Sequence, residues 1–222
     1  MSKAKDILAR DYRVIEFNPP GWGDTPILAA SMKQRHLAIL LAAAIEELPI
    51  DRYMITGTSL GGVNALWLAQ QFPDRVSALV LEAPMAFYLD ENLVNPEAQK
   101  VLEEIRAGEL SGFDPGMSSP PTHPLKPLSD ADYFHEQMRR RYKMFRFTDT
   151  SENWDLEPLA RSLTIPTTIV FGTEDEILNQ SYPAQLASIM PNLRVKIAGG
   201  ANHDIQNTGT EAFVEAVPAA RS

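Results

Sequence analysis

Residues 54–63 read MITGTSLGGV: an apolar run, then Gly57-Thr58-Ser59-Leu60-Gly61-Gly62, then a helical pattern. Glycine is unfavourable inside a strand or a helix, so three of them around one serine need a backbone reason. A strand turning sharply into a helix supplies it. A serine at the apex takes a strained conformation so that its hydroxyl stands clear of the sheet edge. Side chains two residues to either side would then collide, which calls for Gly57 and Gly61. Gly62 lets the new helix pack closely on neighbouring strands. The plain rival is a glycine-rich turn with no chemistry, and the flanking strand RYMIT and helix LGGVNALWLAQQ weigh against it.

Outward from this turn, five apolar, β-rich runs stand out: YRVIEF (12–17), RYMIT (52–56), VSALVLEA (76–83), TTIVFG (167–172) and LRVKIA (193–198). Most show little alternation, which suits strands buried on both faces of a parallel sheet. Helical patterns lie between them, at 31–48, 60–71 and 183–190, with another closing the chain at 209–217. Strand alternating with helix predicts an α/β class, a mostly parallel sheet flanked by helices.

The rhythm breaks between 84 and 166, where no strand pattern occurs. NPEAQKVLEEIRAGEL (95–110) opens with a cap-like Asn followed by Pro, and a second helical pattern runs from about Ser129 to Phe147. A loop rich in Gly, Pro and Ser joins them. Residues 84–160 therefore read as a helical cap inserted into a core of 1–83 and 161–222.

At 222 residues, 44% hydrophobic and 22% charged, the chain suits one large domain or a domain with an insertion. It contains no cysteine, which excludes disulfides, thiolate catalysis and cysteine metal sites and fits a reducing, cytoplasmic setting. His36, His123, His135 and His203 are scattered without metal-ligand spacing, so no metal and no cofactor are expected. A formal charge of −9 argues against nucleic acid as a partner, since phosphate binding needs a cationic surface; RRRYKMFR (139–146) is the local exception. No apolar stretch approaches the ~20 residues of a spanning helix, and MSKAKDILARDY lacks a signal-peptide core, so no membrane partner is expected. The remaining partner is a small-molecule substrate, with the oligomeric state left open.

A serine hydroxyl is a weak nucleophile until a base takes its proton, and that base needs an orienting acid. Candidates follow two of the runs. After TTIVFG come Thr173-Glu174-Asp175-Glu176, and after LRVKIA come Gly199-Gly200-Ala201-Asn202-His203. Carboxyl ends of parallel strands are where such sheets bind ligands. For the acid, Glu174, Asp175, Glu176 and Asp204 all compete. His36, His123 and His135 lie in helix or loop contexts and read as structural or surface residues.

On these residues the chain resembles the α/β-hydrolase superfamily, in its capped, lipase/esterase-like form. The matching stretches are Asn18-Pro19-Pro20-Gly21-Trp22-Gly23-Asp24-Thr25, the Gly57–Gly62 turn, Pro73-Asp74-Arg75-Val76, Ile165-Pro166 leading into TTIVFGTEDEIL, and GGANHD. The resemblance covers about residues 12 to 217. It implies Ser59 as nucleophile, His203 as general base then acid, Asp175 as its orienter and the Leu60 N–H as an oxyanion donor. Asp175 is preferred because the family places its acid three residues after the glycine, here Gly172. A serine nucleophile disfavours the haloalkane dehalogenase and epoxide hydrolase branches, which attack with aspartate.

The family also implies strands before the one matching YRVIEF, the last of them ending in a His-Gly-type loop that gives the second oxyanion N–H. MSKAKDILARDY resembles the end of the helix after that loop, so the sequence is expected to lack a few dozen family residues. Residues 12–17 would then pair directly with 52–56, and the NPPGWG loop would offer a substitute donor.

In the cap, Phe134, Met138, Tyr142 and Phe145 recur at helical spacing, with Arg139, Lys143 and Arg146 on a neighbouring face. Trp22, Met85, Phe134, Met138 and Phe145 are candidates to line a substrate pocket; the bland alternative is packing against the core. The basic face reads as solvated surface or as an attractor of an anionic substrate. Three functions compete: hydrolysis of a small, largely apolar ester, thioester or lactone; carbon–carbon hydrolysis of a keto-acid or dienoate from aromatic degradation; and a non-catalytic binding protein or impaired fragment.

Overall fold

Four parallel strands form the sheet that organises the chain: β2 (Tyr53–Thr58), β3 (Val76–Glu82), β5 (Thr167–Gly172) and β6 (Leu193–Ala198), in the spatial order β2-β3-β5-β6. The computed structural model describes residues 2–20, 25, 32–84, 148–149 and 156–218. Within these, α1 (Lys3–Leu8), β1 (Met32–Lys33) and α2 (Gln34–Glu46) precede β2, and α3 (Leu60–Gln71) joins β2 to β3. Then follow β4 (Thr148–Asp149), α4 (Glu157–Ser162), and α5 (Tyr182–Ile189) between β5 and β6. The chain continues into α6 (Ile205–Thr208) and α7 (Thr210–Ala216).

β3 and β5 are buried at nearly every position, which their unbroken apolar runs dictate: a strand covered on both faces has no place for polar alternation. α3 packs on β2 and β3, while α7 packs on β5 and β6. Val63, Leu66, Leu79, Leu81, Ile169, Phe171, Leu186 and Phe213 lie in one buried cluster with them. Leu156, Leu159 and Ala160, which the sequence pattern groups with the cap, belong to the same cluster. Arg75 secures the entry to β3. Its Nε donates to the Asp51 carbonyl at 2.7 Å, and its other nitrogens bond the Ile50 carbonyl and the Glu46 carboxylate.

Two expectations need correction. Residues 12–17 form no strand; they are mostly exposed, with Val14 and Ile15 each 36% accessible. A β-rich composition makes a strand only where a ladder partner satisfies its N–H and C=O groups. β2 pairs only with β3 among the described residues, so its other edge takes no direct pairing from 12–17. Phe17 instead packs beside α2 and α3. Second, the segment without strand pattern holds the two-residue β4, paired in parallel with β1 through Met32↔Thr148 and Lys33↔Asp149. The cap helices expected at 95–110 and 129–147 lie outside the described residues.

The ladders align the strand ends that matter. Thr58 stands opposite Glu82, and Gly172 opposite Ala198, so all four strands finish along one carboxyl edge. Among the described residues no helix is long and apolar enough to cross a membrane.

Candidate active site

Ser59 is the first residue beyond β2 and the N-cap of α3, with φ 51° and ψ −119°. That is a costly backbone region for any residue with a side chain. Its N–H donates to the Glu82 carbonyl of the neighbouring strand at 2.9 Å, and its own carbonyl accepts the Gly62 N–H at 2.9 Å. Only one other described non-glycine residue has positive φ: Ala83, at the matching place beyond β3. Among the described residues, strain of this kind is thus confined to two adjacent strand ends.

The glycines divide in their reasons. A Cβ on Gly57 would lie 2.6 Å from the Gly61 carbonyl oxygen, a backbone atom that cannot step aside, so this position needs a hydrogen. At Gly61 a Cβ would meet nothing within 4 Å, so the steric expectation for that residue does not hold. The turn is tight on its strand side and open on its helix side. Leu60 begins α3, and the N–H groups of a helix's first turn have no acceptor within the helix. With the positive end of the helix dipole they form a place for negative charge.

Across the sheet, Asp175 follows β5 and its side chain is fully buried. Oδ1 accepts the N–H groups of Ile177 and Leu178 at 2.8 and 2.9 Å, and Oδ2 lies 2.8 Å from Nδ1 of His203. Three donors thus satisfy a carboxylate that burial would otherwise penalise. Among the rival acids, Glu174 is exposed and Asp204 binds the Asn207 amide. Glu176 reaches only the His203 main-chain N–H, at 3.4 Å.

His203 follows β6 by way of the Gly199–Asn202 loop, which lies directly over the end of β5. A Cβ at Gly172 would sit 2.1 Å from the Ala201 carbonyl oxygen. The Glu174 N–H donates to that same oxygen at 2.9 Å. Glycine at 172 therefore lets the acid-bearing and histidine-bearing loops touch. With Nδ1–H given to Asp175, the lone pair of the imidazole resides on Nε2. Nε2 is buried and has no hydrogen-bond partner among the described residues, Ser59 included. The acid and the histidine are thus brought into contact; the serine shares their edge of the sheet without a bond to either.

Of the other expected site residues, Trp22, Met85, Phe134, Met138 and Phe145 lie outside the described residues, as does the GWG half of the NPPGWG loop. No group of three potential metal ligands occurs among the described residues. A further set was not anticipated from the sequence. Glu82, 1% exposed, joins Thr58 and Gln206 in a buried hydrogen-bond network. Its one visible sign is a carboxylate ending an otherwise apolar run, VSALVLE.

Comparison with known proteins fits this geometry. A family model for the alpha/beta hydrolase fold matches residues 3–210. A relative from Pseudomonas syringae, named putative carbamate hydrolase RutD, is 24% identical over 229 residues, covering 96% of this chain and 85% of that protein. A 2-hydroxy-6-oxononadienedioate/2-hydroxy-6-oxononatrienedioate hydrolase from Cupriavidus pinatubonensis is 25% identical, covering 93% of this chain and 75% of that one. Among solved structures, a thermophilic esterase from Thermogutta terrifontis superposes with a TM-score of 0.71 at 20% identity, over 96% of this chain and 80% of that one.

Proposed function

The chain belongs to the α/β-hydrolase fold family, and within it we propose a serine hydrolase that cleaves a small, largely apolar ester, thioester or lactone through an acyl-enzyme on Ser59. One observation carries the reading: a buried imidazole with Nδ1 held by a fully buried carboxylate and Nε2 without a partner among the described residues. A buried polar atom without a partner costs about 1–3 kcal/mol. Use of the atom in catalysis is one reason a fold retains that cost.

In the proposed reaction Nε2 takes the Ser59 proton as Oγ attacks the carbonyl carbon. Asp175 holds the tautomer and stabilises the imidazolium. The carbonyl oxygen becomes an oxyanion facing the Leu60 N–H, where the strained turn aims the start of α3. The imidazolium then protonates the departing alcohol or thiol. Water, deprotonated by the same nitrogen, releases the acid and restores the serine. Substrate selection falls to Trp22, Met85, Phe134, Met138 and Phe145, the residues proposed to line the pocket.

A second reading is favoured by the Cupriavidus relative, whose name describes a hydrolase of a dienedioate. On it, the same three residues cleave a carbon–carbon bond next to a ketone, and Arg139, Lys143 and Arg146 draw in the acid. The test uses a fluorophosphonate probe and two substrates, a chromogenic ester and a dienoate keto-acid. Labelling abolished in Ser59→Ala, with burst release from the ester, supports the acyl-enzyme. Turnover of the keto-acid alone selects the second reading. Absence of labelling in folded protein overturns both and leaves a binding protein.

A further inference from the structure

Behind the strained serine lies a buried polar cluster that the reaction does not touch. Glu82 ends β3 opposite Thr58, the residue before Ser59. Its Oε2 accepts the Thr58 hydroxyl and the Gln206 side-chain amide, the latter at 2.7 Å. Oε1 accepts the Gln206 main-chain N–H at 2.9 Å. The Gln206 side-chain amide also donates to Thr58 Oγ1 at 2.9 Å, and its oxygen accepts the Ser2 hydroxyl at 2.8 Å. Gln206 stands in α6, three residues after His203.

From this connectivity we infer that Glu82 is a positioning residue, one carboxylate that fixes the nucleophile turn and the histidine loop in a common frame. The inference rests on the proposed role of Ser59. The nucleophile and the base come from β2 and β6, the outermost strands of the sheet among the described residues, so their separation depends on whatever joins the two loops. Glu82 joins them from β3, one of the two strands between, through Thr58 on one side and Gln206 on the other. Its main-chain carbonyl also holds the Ser59 N–H at 2.9 Å. The chemistry calls for a carboxylate. Three donors converge on two oxygens that only accept, whereas an amide at this place would turn donors against donors. Through Gln206 the frame extends to Ser2, the N-cap of α1, so the first helix is tied to the same point.

The test compares the full chain with Glu82→Gln, which keeps the shape, and Thr58→Val, which removes one hydroxyl. Enzyme concentration is set by fluorophosphonate titration, so unfolded protein does not count. Misplacement of a catalytic pair by an ångström costs on the order of 10²-fold in rate. Glu82→Gln is therefore expected to lower kcat per titrated site by about that factor, with KM held within roughly twofold. The downfield proton resonance of the His203 Nδ1–H is expected to shift or broaden at the same time. Unchanged kcat per site and an unchanged resonance, even with a lower Tm, would reduce Glu82 to a fold-stabilising residue and overturn the inference. If the wild type takes up no fluorophosphonate, the hydrolase reading falls by itself. The Nδ1–H resonance still decides whether Glu82 governs the imidazole, and no change there refutes it. Should Glu82→Gln fail to fold, Thr58→Val carries the same readouts, with about a tenfold loss expected and an unaltered kcat overturning the proposal.

Discussion

Replacing Asp175 by asparagine separates charge and tautomer from shape. Asp175 accepts three hydrogen bonds, two from the Ile177 and Leu178 N–H groups and one from His203 Nδ1–H, in a side chain with no exposure. An asparagine can keep its oxygen on the two main-chain donors, which places its NH₂ against Nδ1. The imidazole must then accept there and carry its proton on Nε2, where it cannot take the serine proton. Where this tautomer switch has been isolated in serine hydrolysis, turnover falls ~10⁴-fold, about 5.4 kcal/mol of transition-state stabilisation. The opposite rotamer faces NH₂ to two buried N–H donors and forfeits bonds of about 1.5–3 kcal/mol each, so it does not relieve the problem. The assay is kcat for a chromogenic ester with active sites titrated, beside the urea midpoint. Activity within tenfold of wild type in a folded Asp175→Asn protein would refute the reasoning, because no other carboxylate among the described residues meets the ring.

Three further outcomes test the turn and the loop contact. Gly57→Ala drives a methyl to 2.6 Å from the Gly61 carbonyl and should cost about 1–3 kcal/mol, whereas Gly61→Ala meets open space and should be neutral or gain up to about 1 kcal/mol; urea midpoints of the pair decide it. Ser59→Gly removes a strained side chain at φ 51° and should raise stability by roughly 1 kcal/mol while abolishing fluorophosphonate labelling, so an unchanged midpoint would deny the strain. Gly172→Ala pushes the Ala201 carbonyl from 2.1 Å and should slow labelling of Ser59 on the order of tenfold or more by moving the His203 loop, read as a second-order rate on folded protein.

What the sequence disclosed, and what it hid, follows from the range of the interactions concerned. The Ser59 turn is local: the strain, the Gly57 clash and the start of α3 lie within a few residues, so adjacent letters encode them. β3 and β5 are legible because burial on both faces forces an unbroken apolar run. YRVIEF misleads for the complementary reason. Its residues are β-formers, but strand formation belongs to a pair, and residues 12–17 have no ladder partner among the described residues. The Glu82 frame is the least legible feature. Its members, Thr58 and Gln206, lie 24 and 124 residues away along the chain and share no motif with it. A carboxylate at the end of an apolar strand is hard to tell from a solvated strand end until its donors are known. Once they are known, the same residue reads differently. A buried charge with three donors costs more to break than to keep. The turn that displays Ser59 and the loop that carries His203 therefore hold a fixed relation for as long as that carboxylate stays satisfied.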